Sequence, residues 1–331
     1  MAELRNARIL STGMAVPDRI VPNSYFDEIL RENVSEWLED NLTIKERRWL
    51  SEGESVADLI ESAALTILAN AKVKPEELDL IIISTDTPEY ISPSTASIIQ
   101  DRLGATGAGT FDLNAACAGF VTSIDMGAKY IQADPKYKYI LVIGAYGMSR
   151  YLDLYDKKTV TLFADGASGV LLGADPEGVG HLQGLLYTEG QYADWMGIYA
   201  GGVKTPVTQE VLDNKDHLLK FVKKFPKELN PITWERMIRK VVADAGHDLS
   251  SVKQVFFTQI NINSIRATME ALQLPMEKAQ TIMSYYGYTG SACIPMALNE
   301  AHNQGKLDRG DLIVFMGSGG GLAFACSAWI W

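Results

Sequence analysis

The sequence predicts an α/β protein built as a duplicated, layered α/β/α/β/α body. Three observations carry that reading. Apolar runs of strand length alternate with amphipathic runs of helix length, the order of these runs in the first half returns in the second, and a 47% hydrophobic content over 331 residues supplies a large core. Strands that are apolar throughout, not in alternation, belong in sheets covered on both faces.

In the first half the strand-like runs are "LDLIIIST" from Leu78, "TFDLN" from Thr110 and "YKYILVIGA" from Tyr137. Helical spacing fills the gaps at 94–103 and 120–131. The second half repeats the order with "VKQVFFTQ" from Val252, "AQTIMSYY" from Ala279 and "DLIVFMGSGGG" from Asp311, with helical patterns at 265–272 and 294–303. The predicted division is 1–175, carrying the cysteine considered below, and 176–331, with an insertion at about 184–231 that covers or flanks the site. The insertion holds "WMGIYAGGVKTP" and "HLLKFVKKFPKELNP", the latter read as a surface helix with Lys220, Lys223, Lys224 and Lys227 in solvent. Loops that follow corresponding strands of the two halves should converge on one place.

A formal net charge of −11 disfavours nucleic acid and anionic membranes as partners, although a local basic patch remains available to an acidic carrier or a nucleotide. The start "MAELRNARIL" has no signal-peptide pattern and no run approaches the ~18 apolar residues of a membrane span, so a cytoplasmic location is expected. Cys117, Cys293 and Cys326 are three thiols at wide spacing, which argues for free cysteines and against a disulfide framework or a metal site.

The stretch "TFDLNAACAGFVTSIDMGAKYI" from Thr110 reads as a strand feeding a helix, with Cys117 at or near the first turn. Unpaired N–H groups and the positive end of the helix dipole favour a thiolate there. On this stretch alone, a nucleophile and a small packing residue are equally good readings.

Taken with "FADGASGVLL" from Phe163, "TQIN" from Thr258, "YGYTGSACIP" from Tyr286, "GSGGG" from Gly317 and "SEWLEDNLTIKERRW" from Ser35, that stretch resembles the β-ketoacyl-acyl-carrier-protein synthase III group of the thiolase superfamily over nearly the whole chain. The resemblance implies a thiolase-like duplicated fold, a homodimer, no permanently bound cofactor, and an acyl group taken from coenzyme A or an acyl carrier protein onto Cys117. It implies an oxyanion hole from the N–H groups of Cys117 and Gly320, which match the family's positions, because attack on a thioester needs donors where negative charge develops. The same resemblance gives Trp37 as a neighbour of the coenzyme's adenine and Asn261 and Asn263 as substrate-binding positions. Arg47 and Arg48 are candidates for phosphates, and Lys157 for the entrance.

Two positions depart from the family pattern. Thr258 stands where decarboxylating members carry histidine, and Tyr288 where they carry asparagine. Neither replaces a general base near neutral pH, so decarboxylative condensation of malonyl thioesters should be slow. The four histidines, His181, His217, His247 and His302, sit in polar contexts and are expected in solvent. Glu89, in "STDTPEYISPSTAS", is the candidate substitute base. The expected function is an acyltransferase or condensing enzyme of secondary or fatty-acid-related metabolism with an acyl-Cys117 intermediate, in which Thr258 and Tyr288 face the cysteine. The alternatives are a non-condensing partner subunit of a heterodimeric ketosynthase and a thioesterase.

Overall fold

The computed structural model describes residues 5–331, so the first four residues of the opening stretch read above lie outside it. Two mixed sheets form the two β layers. The first runs in the spatial order Asn6–Ala15, Asp165–Asp175, Tyr139–Gly147, Leu80–Ser84, Gly109–Leu113. The second runs His181–Thr188, Ala323–Ile330, Leu312–Gly319, Val252–Phe257. Directions match position by position: the first two pairings are antiparallel and the third parallel in each sheet. The duplication expected from the repeated order of apolar runs is therefore present in the strand order itself.

Between the sheets lie two helices, Gly119–Ala133 and Cys293–Asn303, which touch strands of both. Their sequences explain the position: apolar or small residues on most faces, with Phe120, Val121, Ile124, Ala128 and Ile131 of one and Ile294, Met296, Ala297 and Leu298 of the other removed from solvent. Helices Val56–Ala71 and Thr95–Leu103 cover the outer face of the first sheet, and Leu229–Asp244 with Ile262–Leu272 covers that of the second. The strands between are buried on both sides, as in Ile81, Ile82 and Ile83, and each such side chain contributes about 1.5–3 kcal/mol of burial. No helix is long and apolar enough to cross a membrane among the described residues.

Three expectations need correction. "AQTIMSYY" is not a strand: Ala279 makes an isolated bridge to Val255, and Met283–Tyr286 is a helical turn. The buried Gln259 side chain replaces the ladder there, its Nε2 donating to Gln280 O (3.1 Å) and its Oε1 accepting from Ile282 N (3.1 Å). The departure from the repeat does not begin at about 184, since His181–Thr188 is an edge strand of the second sheet. Nor is "HLLKFVKKFPKELNP" a helix. Lys220–Phe221 pairs with Met196–Gly197, Pro226 interrupts the backbone donors, and Phe225 packs with Phe221, Tyr192 and Trp195 before the helix from Leu229 begins.

Candidate active site

Strand Gly109–Leu113 ends in a turn of small residues, Asn114 to Ala118, that delivers Cys117 just ahead of helix Gly119–Ala133. The Asn114 Oδ1 accepts from Ala116 N at 3.0 Å, and Ala116 adopts φ 46°, in the left-handed region that costs a non-glycine residue about 1–2 kcal/mol. The glycine run after strand Leu312–Gly319 lies against this turn. A Cβ on Gly319 would stand 2.5 Å from Cys117 N and 2.9 Å from Ala115 O, so only glycine permits this approach.

Two cavities meet at the cysteine. The larger, about 920 Å³, is lined by Cys117, Tyr288, Gly320, Trp37, Asn261 and Asn263 among others. The smaller, about 260 Å³, is lined by Cys117 together with Asp86, Tyr146, Met148, Leu219 and Gly320. Trp37 is half exposed at the rim of the larger one, and Lys224 and Lys227, expected in free solvent, line it as well. Asn261 caps helix Ile262–Leu272 by accepting from Asn263 N (2.9 Å), and Asn263 Nδ2 donates to Asn41 O (3.0 Å).

Burial pushes the Cys117 thiol well above its ordinary range, and the negative charge of Asp86 pushes it further; hydrogen bonding from the Tyr288 hydroxyl acts in the opposite direction. The thiolate expected from a helix terminus is thus not the resting form. Tyr288 is itself buried, with its ring against Phe163 (5.3 Å between centroids) and Tyr146 (6.4 Å). The turn before it requires glycine, because Gly287 sits at φ +57° with the Arg47 side chain 2.8 Å from where a Cβ would be.

Other predicted residues lie elsewhere or are already engaged. Thr258 does not line either cavity: its hydroxyl donates to Ser318 O (3.2 Å) and accepts from Ser318 N (2.8 Å), pinning the strand that carries the glycine run. Glu89 caps helix Val56–Ala71, accepting from Ala57 N at 3.1 Å, and lines neither cavity. Arg47 is buried, donating to Val21 O, Asn23 Oδ1 and Thr161 O and stacked over Phe26, and it lines neither cavity, so it is not placed to meet a phosphate there. Burial lowers its pKa to about 9. Arg48 stands 3.9 Å from Glu46, and Lys157 is paired with Glu32. His181 is not in solvent: it is buried, 3.0 Å from Asp125 Oδ1 and edge-on to Trp329.

One residue escaped the sequence reading. Asp86 follows strand Leu80–Ser84 and is half-buried on the wall of the smaller cavity with Cys117, its Oδ1 shielded from solvent and lacking any partner among the described residues. Its neighbours fix the loop around it: Thr87 Oγ1 accepts from Gly147 N (2.8 Å), and Thr85 Oγ1 accepts from Thr87 N (3.0 Å). Desolvation raises its pKa to about 6. The signal was available, a carboxylate three residues beyond the apolar run Leu80–Ile83 of a parallel strand.

Residues 111–190 and 242–331 match the descriptions 3-oxoacyl-[acyl-carrier-protein] synthase III and its C-terminal part. A β-ketoacyl-[acyl-carrier-protein] synthase III of Clostridioides difficile is 35% identical over 329 residues, 98% of each chain. The 3-oxoacyl-[acyl-carrier-protein] synthase III of Aquifex aeolicus is 33% identical with TM-score 0.88, covering 98% of this chain and 100% of that one. The priming β-ketosynthase of the R1128 polyketide pathway is 25% identical with TM-score 0.91, covering 100% and 97%. With the duplicated sheets, the cysteine turn under its glycine run and this end-to-end similarity together, the chain belongs to the 3-oxoacyl-[acyl-carrier-protein] synthase III family of the thiolase superfamily, a family of acyl-transferring, condensing enzymes.

Proposed function

We propose that the protein takes an acyl group from a coenzyme A or acyl-carrier-protein thioester onto Cys117 and passes it to an acceptor. The observation that carries this reading is the placing of Cys117 where the two cavities meet, with the glycine run packed on its own backbone. The Cys117 Sγ attacks the thioester carbonyl carbon, and the bond from that carbon to the carrier sulfur breaks. The thiol proton leaves with the carrier thiolate, so the exchange is balanced without an external base. The N–H groups of Cys117 and Gly320 receive the charge that develops on the carbonyl oxygen, the kind of preorganised donation worth about 10²–10³ in rate. Asn261 and Asn263 fit the carrier arm, and Trp37 at the rim fits its adenine when the carrier is coenzyme A.

The acceptor arrives already nucleophilic in this reading, because Thr258 is consumed by Ser318 and no imidazole faces Cys117 among the cavity-lining residues. The same observation favours a second reading, a non-condensing partner subunit. The division into 1–175 and 176–331 and a homodimer complete the proposal. The dimer draws support from Tyr90 and Ile91, large apolar side chains exposed on the loop after Asp86.

Intact-protein mass spectrometry after exposure to a panel of coenzyme A and carrier-protein thioesters separates the readings. An acyl mass should appear on the native protein, vanish in Cys117→Ala and survive in Cys293→Ala and Cys326→Ala. No acyl mass from any donor would favour the non-condensing subunit.

A further inference from the structure

We propose that Thr258 is a positioning residue: its hydroxyl clamps Ser318 and so fixes the glycine run that receives the developing charge beside Cys117. The inference rests on the acyl-transfer reading of this site and gives Thr258 a role through the backbone in place of contact with substrate.

Pairing of strand Val252–Phe257 with Leu312–Gly319 ends at Phe257 opposite Met316, and Thr258 N adds one further bond, to Met316 O (3.1 Å). The first strand then leaves the sheet toward helix Ile262–Leu272, so its backbone no longer pairs Ser318 on that side. The Thr258 hydroxyl takes over that rung. It accepts from Ser318 N at 2.8 Å and donates to Ser318 O at 3.2 Å, and because both residues are buried no solvent can do the same. Among the described residues, Thr258 is the only side chain hydrogen-bonded to residues 317–321.

Ser318 lies between the two points at which this strand touches the cysteine turn. A Cβ on Gly317 would stand 3.0 Å from Ala118 Cα, and one on Gly319 would stand 2.5 Å from Cys117 N. Side chains alternate along a strand, so both glycines face the turn and a shift of Ser318 moves both contacts. Beyond Ser318 come three consecutive glycines, the backbone with the most freedom to lose. That arch is anchored at its two ends: Leu322 exchanges two backbone bonds with Glu189 (2.9 and 3.1 Å), and Ser318 is held by Thr258. Donors that meet a developing charge work only where they are already fixed, and a misplacement of about 1 Å costs about 10² in rate.

The test compares acetyl-Cys117 formation, from acetyl-coenzyme A and from p-nitrophenyl acetate, with alkylation of Cys117 by iodoacetamide, each followed by mass and mapped to the residue. Acylation passes through an oxyanion and alkylation at a saturated carbon does not, so only the first depends on the glycine run. Thr258→Val, close in shape but without the hydroxyl, should slow acetylation by both donors about ten- to hundredfold and change alkylation less than about twofold. With acetyl-coenzyme A the loss should fall on the maximal rate and not on the half-saturating concentration. Thr258→Ser, which keeps the hydroxyl, should recover most of it. If Thr258→Val does not fold, Thr258→Ala, which leaves room for an untethered water to pair Ser318, should slow acetylation in the same selective way. Native acetylation in a folded variant that lacks the hydroxyl, alkylation lost in proportion to acetylation, or no recovery with serine would each overturn the inference. If acetyl-coenzyme A leaves the native protein unmodified while the nitrophenyl ester gives the expected pattern, coenzyme A falls as the donor and the positioning role stands. No acetylation of the native protein by either donor would remove the acyl-transfer reading, and this inference with it.

Discussion

Cys117 and Cys293 occupy related places in the two halves, each preceded by two small residues ("AACAG" and "SACIP") at the start of one of the two central helices. Both are buried, and burial raises both thiols, Cys293 to about 12. What separates them is access and backbone. Cys117 sits two residues ahead of its helix behind a left-handed Ala116, borders both cavities and has the glycine run against its N–H; Cys293 is the first residue of its helix and borders neither cavity. The duplication thus supplies two similar thiols, and local turn geometry makes one of them reachable. A low resting pKa is not the distinction, since neither thiol has one.

The comparison breaks most severely at Gly319. An added methyl must displace Cys117 N or Ala115 O, so Gly319→Ala should move the glycine run off the cysteine turn, costing about 1–3 kcal/mol of stability and about 10²–10³ in the rate of Cys117 acylation. Gly320→Ala is the milder control for folding, because its Cβ would meet only Met196 O, at 3.3 Å. Denaturant melts read alongside acylation rates check both. Unchanged acylation in a folded Gly319→Ala protein would show that proximity of the run is incidental.

Asp86 sharpens the comparison next, because it is the charge that distinguishes the surroundings of Cys117. Its folded pKa of about 6 lies above the ordinary 3.8. The group's contribution to stability is therefore fully present below about pH 4 and is lost as the pH rises through 6. Above that, the ionised carboxylate costs up to about 3 kcal/mol, at about 1.36 kcal/mol per pKa unit. Asp86→Asn should accordingly stabilise the protein at pH 8, with the advantage shrinking toward pH 4. It should also speed alkylation of Cys117 at pH 8, since a nearby anion no longer opposes the thiolate. Urea titrations at the two pH values, with alkylation followed by mass, measure both effects. A pH-independent difference between variant and native protein would refute ionisation of Asp86 against burial.

The fold was legible because its signal is repetition: apolar runs of strand length recur in the same order, and burial on two faces leaves them no alternation to blur. At the site, residues fixed by backbone position were legible too, and Cys117, Tyr288, Gly320, Trp37, Asn261 and Asn263 do border one cavity. Side-chain direction was not. Thr258 turns its hydroxyl into the neighbouring strand, Glu89 turns to a helix end, and His181 finds Asp125 across 56 positions of sequence. Each of these choices depends on a partner brought close only by tertiary packing. The misreading of "AQTIMSYY" has a local cause, since a short apolar run has no periodicity with which to tell a strand from a turn of helix.

The smallest expected effect belongs to Tyr288. Its ring is held by Phe163 and Tyr146, so Tyr288→Phe preserves the packing and removes only the hydroxyl. That hydroxyl is the one side-chain group acting to lower the Cys117 pKa against burial, Asp86 and Cys293. Losing it should raise the thiol further and slow both alkylation and acylation by about 1 kcal/mol in activation free energy, roughly five- to tenfold. The pH profile separates this from a change of shape. A lost hydrogen bond to the thiolate shifts the alkylation profile to higher pH and leaves the limiting rate nearly unchanged, whereas a reshaped cavity lowers the rate at every pH. Alkylation rates carried above pH 10 to the plateau of the native profile, for the native and Tyr288→Phe proteins, decide the matter, and coincident profiles would leave Tyr288 as a wall of the cavity and nothing more.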